Sequence, residues 1–137
     1  FLNRHPLSLL TFQFSIFTLI VYLRPKKNAP FKMINSDFLP HMPTVIQILK
    51  DHNVKSAYLF GSVLTDRFNK DSDVDILVDY DPSMPTMERG ESLLNLQIAL
   101  EDEIHRDVDI VTAYTLKNPY FIEELNQTKY HIYGHAN

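Results

Sequence analysis

A glycine-serine pair at the end of an apolar run is the first pattern in this sequence that could take part in chemistry. Gly61 and Ser62 follow the run Ser56–Phe60, which is short, apolar and partly aromatic, as a buried strand would be. Glycine lets the backbone turn sharply and lets a ligand approach the main chain, while serine adds a hydroxyl donor. With the free N–H groups of a following helical turn, such a pair binds anions such as phosphates. Taken alone, most such pairs are merely turns.

Two carboxylates form the second pattern. Asp73 and Asp75 are two positions apart on a predicted strand, so both side chains leave the same face. Two carboxylates at so short a distance repel each other unless a cation lies between them. Mg²⁺ suits the position, because it favours one or two carboxylates together with phosphate oxygens. The competing interpretation is a solvated strand edge that follows a turn at Asp71 and Ser72.

A third carboxylate makes the metal interpretation the stronger one. Asp109 lies at the start of a third predicted strand, and pairing beside the second strand would bring it to the same patch. Three carboxylates around an anion-binding turn are what two-metal phosphoryl or nucleotidyl transfer requires. Asp107 points the same way in an ideal strand and is the second candidate. Asp109 is preferred because it lies within the strand proper.

These residues need a scaffold, and the hydrophobic pattern predicts elements in the order α-β-α-β-α-β-α. The order is typical of an α/β two-layer domain, with a small mixed β-sheet flanked by helices. The strands are predicted at residues 56–60, 73–79 and 107–112. The helical segments are predicted from a cap at Thr44, at 63–68, at 88–105, and from Asn118 as an N-cap followed by Pro119.

The helical stripes also predict the core. Leu94 and Ile98 are expected beside the buried side of the long helix, and His52 and His105 are expected to cap helix ends rather than bind metal. The other predicted core positions are Val45, Ile46, Ile48, Leu49, Tyr58, Tyr80, Leu93, Leu96, Leu100, Ile104, Phe121, Ile122 and Leu125.

The first thirty-two residues differ in character from the domain predicted at 33–137. Residues 7–23 carry no charge and are flanked by Arg4 and by Arg24, Lys26 and Lys27. Three interpretations remain open: a packed amphipathic helix, a membrane anchor, or upstream sequence included by a misplaced start. No small-x-small cleavage site follows the apolar run, which argues against a signal peptide.

Charge is divided unevenly along the chain. Residues 1–32 hold five of the 13 basic residues and no acidic ones, so residues 33–137 combine eight basic with all 17 acidic residues, a net charge of −9. We therefore expect no direct nucleic-acid binding, since that requires a surface that neutralises phosphates. The chain has no cysteine, which excludes disulfides and thiolate metal sites and fits a reducing cytoplasm. We expect a cytoplasmic protein and no membrane contact.

The run GSVLTDRFNKDSDVDILV at 61–78 resembles the Gly-Ser…Asp-x-Asp signature of the polymerase-β-like nucleotidyltransferase superfamily. More narrowly, about residues 41–134 are similar to the minimal nucleotidyltransferases of prokaryotes, which often pair with a HEPN-domain protein in toxin–antitoxin modules. The resemblance implies that Gly61 and Ser62 bind triphosphate. It also implies that Asp73, Asp75 and Asp109 are the catalytic carboxylates and the ligands of a two-ion Mg²⁺ site.

The activity implied by this resemblance is transfer of AMP from ATP to a hydroxyl of a protein, with a HEPN toxin tyrosine as the acceptor. Two alternatives stay open. One is an antitoxin that neutralises a basic partner by contact, without catalysis, and the other is an aminoglycoside nucleotidyltransferase. The second is less favoured because no additional substrate-binding domain is evident in 137 residues.

The sequence departs from the family pattern at two positions. The family often has Arg or Tyr directly after the Gly-Ser pair and a Gly three residues later, where this chain has Val63 and Asp66. Asp66 adds negative charge near the expected phosphates. Arg67 and Lys70 could offset that charge, although a solvated surface position is the favoured interpretation of both.

Overall fold

The structure is a computed structural model that describes residues 34–135. The predictions made for residues 1–32 therefore lie outside the described residues. Within 34–135, none of the helices is both long and apolar enough to cross a membrane.

One four-stranded sheet organises the described residues, with strands in the order β3-β2-β1-β4. β1 pairs antiparallel with β2 and β4, whereas β2 and β3 are parallel, so the predicted mixed sheet is confirmed. The elements in chain order are α1 (Met42–Asp51), β1 (Ser56–Phe60), β2 (Val74–Asp79), α2 (Thr86–Ile104), β3 (Val108–Thr112), α3 (Pro119–Thr128) and β4 (Tyr130–Gly134). Short 3₁₀ turns occupy Leu39–His41, Gly61–Leu64 and Ala113–Thr115.

Helices cover both faces of the sheet, which adds a layer to the two that were predicted. On one face, α1 and α2 bury Val45, Leu49, Leu96 and Leu100 against alternate strand residues. On the other face, Leu125 of α3 packs with a second set of strand residues, Tyr58, Phe60 and Leu77. β1 is buried along its whole length because it is central and covered on both sides.

The ends of the helices match the sequence predictions in part. Asn118 caps α3 as predicted, since its side chain accepts hydrogen bonds from the backbone N–H groups of Tyr120 and Phe121. His52 ends α1, with a ring nitrogen 2.8 Å from the carbonyl of Ile48. His105 ends α2 in the left-handed conformation, at a φ of +53°. Both histidines therefore lie at the predicted helix ends.

Other local predictions were wrong. Thr44 does not cap α1, because the helix already begins at Met42 and Thr44 lies inside its first turn. The helical turns expected at 63–68 are replaced by the earlier 3₁₀ turn at Gly61–Leu64. Leu94 and Ile98 are 60% and 51% exposed, on the side of α2 that faces away from the sheet.

The loop between β2 and α2 contains a pH-sensitive hydrogen bond. The hydroxyl and the backbone N–H of Ser83 both donate to Oδ1 of Asp81, at 2.6 and 2.8 Å, and they lower the pKa of Asp81 below its ordinary value of 3.8. A lowered folded-state pKa contributes stability above pH 3.8 that is lost as the pH falls through the lowered value. We expect Ser83→Ala to raise the pKa of Asp81 toward 3.8 in a carboxyl NMR titration. An unchanged pKa would contradict the assignment.

Candidate nucleotide and metal site

Gly61 directly follows β1 and brings the backbone against the second strand. Its φ is +75°, in the left-handed region that favours glycine. A Cβ at this position would overlap Oδ2 of Asp75 and would lie 3.3 Å from its Cγ. The missing side chain at Gly61 therefore makes the space that the Asp75 carboxylate occupies.

Ser62 lies in a turn that the core holds in place. The two residues after it, Val63 and Leu64, are buried, and the carbonyl of Ser62 accepts hydrogen bonds from the N–H and the hydroxyl of Thr65, at 2.9 and 2.8 Å. Ser62 itself is half-buried. The turn thus keeps Ser62 at the rim of the site, beside Gly61.

Burial explains the first departure from the family pattern. Val63 is fully buried and its carbonyl accepts a hydrogen bond from the N–H of Asn35, so this position serves packing instead of ligand contact. Asp66, Arg67 and Lys70 are exposed, in agreement with a solvated position for the two basic residues.

Asp75 and Asp109 are direct neighbours on adjacent strands. β2 and β3 run parallel with these two residues in register, so their Cα atoms are opposite each other across the pair. The pleat sends both side chains to the face that α3 covers. The residues on either side of them, Val74, Ile76, Val108 and Ile110, instead pack toward α1 and α2.

Asp73 is placed close to this pair but not within it. It lies one residue before β2, and the next residue, Val74, donates its N–H to the carbonyl of Asp107 at 3.0 Å. Within residues 34–135, no three His, Asp or Glu side chains form a ready-made group of metal ligands. The structure therefore brings Asp75 and Asp109 together and leaves Asp73 beside them.

The donor set nevertheless suits Mg²⁺. Mg²⁺ binds through one or two protein carboxylates and takes its other ligands from water and substrate phosphates. Asp75 and Asp109 supply two carboxylates in register, and Gly61 gives one of them space against the turn. A nucleotide whose phosphates approach the Gly61 turn would complete the coordination.

Asp107 and Asp109 have different surroundings, although the sequence made both candidates. Asp109 lies inside β3 and is paired with Asp75, whereas Asp107 precedes the strand. The main-chain carbonyl of Asp107 accepts a hydrogen bond from the N–H of Val74. This arrangement supports the choice of Asp109.

One basic residue close to the site was not identified from the sequence. Arg106 lies between the end of α2 and the start of β3, and its guanidinium reaches the loop that precedes Asp73. The only feature of the sequence that could have pointed to Arg106 was its position directly before the third predicted strand. Its partners could not be read from the sequence, because they lie more than thirty residues earlier in the chain.

A mixed sheet that presents paired aspartates beside a glycine turn defines a domain of the nucleotidyltransferase type. The chain belongs to the polymerase beta nucleotidyltransferase family, whose model matches residues 44–136. It is also similar to proteins of Methanocaldococcus jannaschii that are provisionally named protein adenylyltransferases. One is 31% identical over 87 residues, 63% of this chain and 85% of the relative, and another is 28% identical over 86 residues, 63% and 84%.

Solved structures share the fold. A provisionally assigned minimal nucleotidyltransferase superposes with a TM-score of 0.57 at 24% identity, over 74% of this chain and 98% of that one. A toxin–antitoxin crystal structure with AMP-PNP superposes with a TM-score of 0.54 at 23% identity, over 69% and 73%. The fold expected from the Gly-Ser and Asp-x-Asp pattern is thereby confirmed.

Proposed function

We propose that this protein is a Mg²⁺-dependent nucleotidyltransferase that transfers AMP from ATP to a hydroxyl group of a partner protein. The observation that carries the proposal is the in-register pair Asp75 and Asp109 beside the Gly61 turn. Family membership supports the reaction class, and the names of the archaeal relatives support a protein acceptor.

Each site residue has an assigned part in this reaction. Gly61 and Ser62 would hold the triphosphate through the main chain and the serine hydroxyl. Asp75 and Asp109, with Asp73 beside them, would hold two Mg²⁺ ions, which would neutralise charge on the phosphates and lower the pKa of the acceptor hydroxyl. The acceptor hydroxyl gives up its proton to solvent water as its oxygen bonds to the α-phosphorus, and the bond from that phosphorus to the bridging oxygen breaks, releasing pyrophosphate.

We propose a HEPN-domain toxin as the protein acceptor, with the chain acting as its antitoxin in the cytoplasm. The resemblance to minimal nucleotidyltransferases supports this pairing, as does the shared fold with a toxin–antitoxin structure that contains AMP-PNP. The net charge of −9 on residues 33–137 would complement a basic ribonuclease.

The direct test is transfer of label to a HEPN-domain partner protein. With Mg²⁺ and ATP labelled at the α-phosphate, we expect label on the partner, and with ATP labelled at the γ-phosphate we expect none. A Tyr→Phe variant of the acceptor tyrosine should also remain unlabelled. Transfer of γ-label would indicate phosphorylation instead, and no label from either nucleotide would rule out the proposed reaction.

A second candidate function is neutralisation of the partner by contact alone. The observation in its favour is the same acidic surface charge, which attracts a basic partner without any chemistry. Asp75→Asn separates the two functions, because it changes the charge by one unit and keeps the shape of the side chain. If the variant transfers no AMP but still neutralises the toxin, contact is the biological output.

A further inference from the structure

We propose that Arg106 is a positioning residue that fixes Asp73 relative to the strand carrying Asp109. The effect of Arg106 on activity rests on the proposed nucleotidyl transfer, whereas the contacts that place Arg106 are features of the structure. Nη1 of Arg106 donates hydrogen bonds to the carbonyls of Asn69 and Ser72, at 2.7 and 2.9 Å. Ser72 is the residue directly before Asp73.

Asp73 is held on both sides by consecutive residues of the chain that leads into β3. Arg106 binds the carbonyl of Ser72 before it, and the carbonyl of Asp107 accepts the N–H of Val74 after it, at 3.0 Å. Asp109 follows only two residues later. Two hydrogen bonds, one on each side of Asp73, therefore connect its main chain to the segment that begins β3. Together they fix the distance between Asp73 and Asp109.

The loop that Arg106 contacts, Asn69 to Ser72, is a turn closed by its own hydrogen bonds. The carbonyl of Asn69 accepts the N–H of Ser72 at 3.0 Å, and the hydroxyl of Ser72 accepts the N–H of Asn69 at 3.0 Å. Because the two carbonyls bound by Arg106 belong to the two ends of this turn, one guanidinium nitrogen holds the turn as a unit.

The guanidinium is in turn held by an aromatic ring. Cζ of Arg106 lies 4.3 Å from the centroid of Phe68, whose side chain is buried in the core. A planar, delocalised cation stacks on a ring in a way that a lysine ammonium does not reproduce. His105 sets the direction of the chain before Arg106, because its left-handed φ of +53° turns the backbone from the end of α2 toward this loop. The contacts favour a geometric role over a general positive charge.

We expect Arg106→Ala to weaken divalent-metal binding and to raise the half-saturating Mg²⁺ concentration for transfer. Removal of a residue that orients a metal ligand typically costs roughly 10- to 100-fold in metal affinity or activity. Arg106→Lys should not restore the wild-type value, since lysine keeps the charge but loses the planar stacking. A wild-type Mg²⁺ dependence in Arg106→Ala, or full rescue by Arg106→Lys, would overturn the proposal.

Arg89 provides a matched control at the other end of α2. Its guanidinium also donates to a backbone carbonyl, that of Met84 at 2.8 Å, and it also stacks on an aromatic ring, Tyr114, at 4.9 Å. Arg89 lies fifteen residues before the last residue of α2, which is about 22 Å along the helix. Arg89→Ala should lower the free energy of unfolding, as Arg106→Ala does, while leaving the Mg²⁺ dependence of transfer unchanged. An equal shift in both variants would mean that Arg106 acts only through stability.

Two measurements keep this test separate from the test of nucleotidyl transfer. Hydrogen exchange of the amides of Ser72 and Val74 should be faster in Arg106→Ala and unchanged in Arg89→Ala, and Mn²⁺ added alone should bind more weakly to Arg106→Ala. Both results are expected whether or not the wild type labels its partner. If Arg106→Ala does not fold, Phe68→Leu should show a smaller change in the same direction, and no change in that variant would overturn the proposal.

Discussion

Asp75→Asn and Asp109→Asn are each expected to abolish transfer of AMP while leaving the fold intact. Asparagine keeps the shape of aspartate but removes the charge that binds Mg²⁺. The loss in rate should exceed the roughly 10- to 100-fold effect of removing an outer-shell partner, because these carboxylates are assigned as direct ligands. Initial rates with α-labelled ATP at saturating Mg²⁺ measure the effect.

Ligand-dependent stabilisation gives a second measurement on the same substitutions. Asp75 and Asp109 are like charges in register on neighbouring strands, and a cation between them relieves their repulsion. Addition of ATP and Mg²⁺ should therefore raise the melting temperature of the wild type and not that of the variants. A variant that ATP and Mg²⁺ stabilise as much as the wild type would contradict the assignment.

Asp107→Asn is the matched control for Asp109. The substitution changes only the side chain, so the carbonyl that accepts the hydrogen bond from Val74 remains. We expect transfer close to the wild-type rate. If Asp107→Asn abolishes transfer and Asp109→Asn does not, the third carboxylate of the site is Asp107.

Strands of the sheet interior could be predicted because their own residues carry the signal. The bounds of β1 were predicted correctly from one continuous apolar run that ends at Gly61, and β2 and β3 were predicted to within one residue at their starts. The pairing of Asp75 with Asp109 was expected only as a consequence of placing those strands side by side. The register itself depends on contacts across the sheet, and the structure was needed to establish it.

The features that escaped prediction depend on distant parts of the chain. β4 (Tyr130–Gly134) is a short edge strand whose exposed Tyr130 and His131 gave no clear alternation, and it forms by pairing with β1 some seventy residues earlier. Leu94 and Ile98 were placed near the core because their spacing suits a wide apolar stripe. Only the position of the sheet reveals that they face outward. The contacts of Arg106 were hidden for the same reason.

Gly61→Ala is expected to disable the site although it adds a single methyl group. The new Cβ would overlap Oδ2 of Asp75, so the carboxylate must move away from the turn. A displacement of about 1 Å can reduce a rate roughly 100-fold. The left-handed φ of +75° adds about 1–2 kcal/mol of strain for any residue with a Cβ. Transfer rates and unfolding free energies of the purified variant measure the two effects.

The other described glycines allow these two effects to be separated. Gly134→Ala introduces the same strain, at a φ of +78°, and its Cβ would overlap the carbonyl of Lys55, at the opposite end of β1 from Gly61. Gly90→Ala, in α2 with nothing within 4 Å of the new Cβ, should stabilise by about 1 kcal/mol. Gly134→Ala should therefore lose stability but keep its rate per folded molecule, and Gly90→Ala should keep its rate and gain stability. If Gly61→Ala lowered the rate no more than Gly134→Ala, strain alone would account for its defect. Contact between the Gly61 turn and the Asp75 carboxylate would then have no part in catalysis.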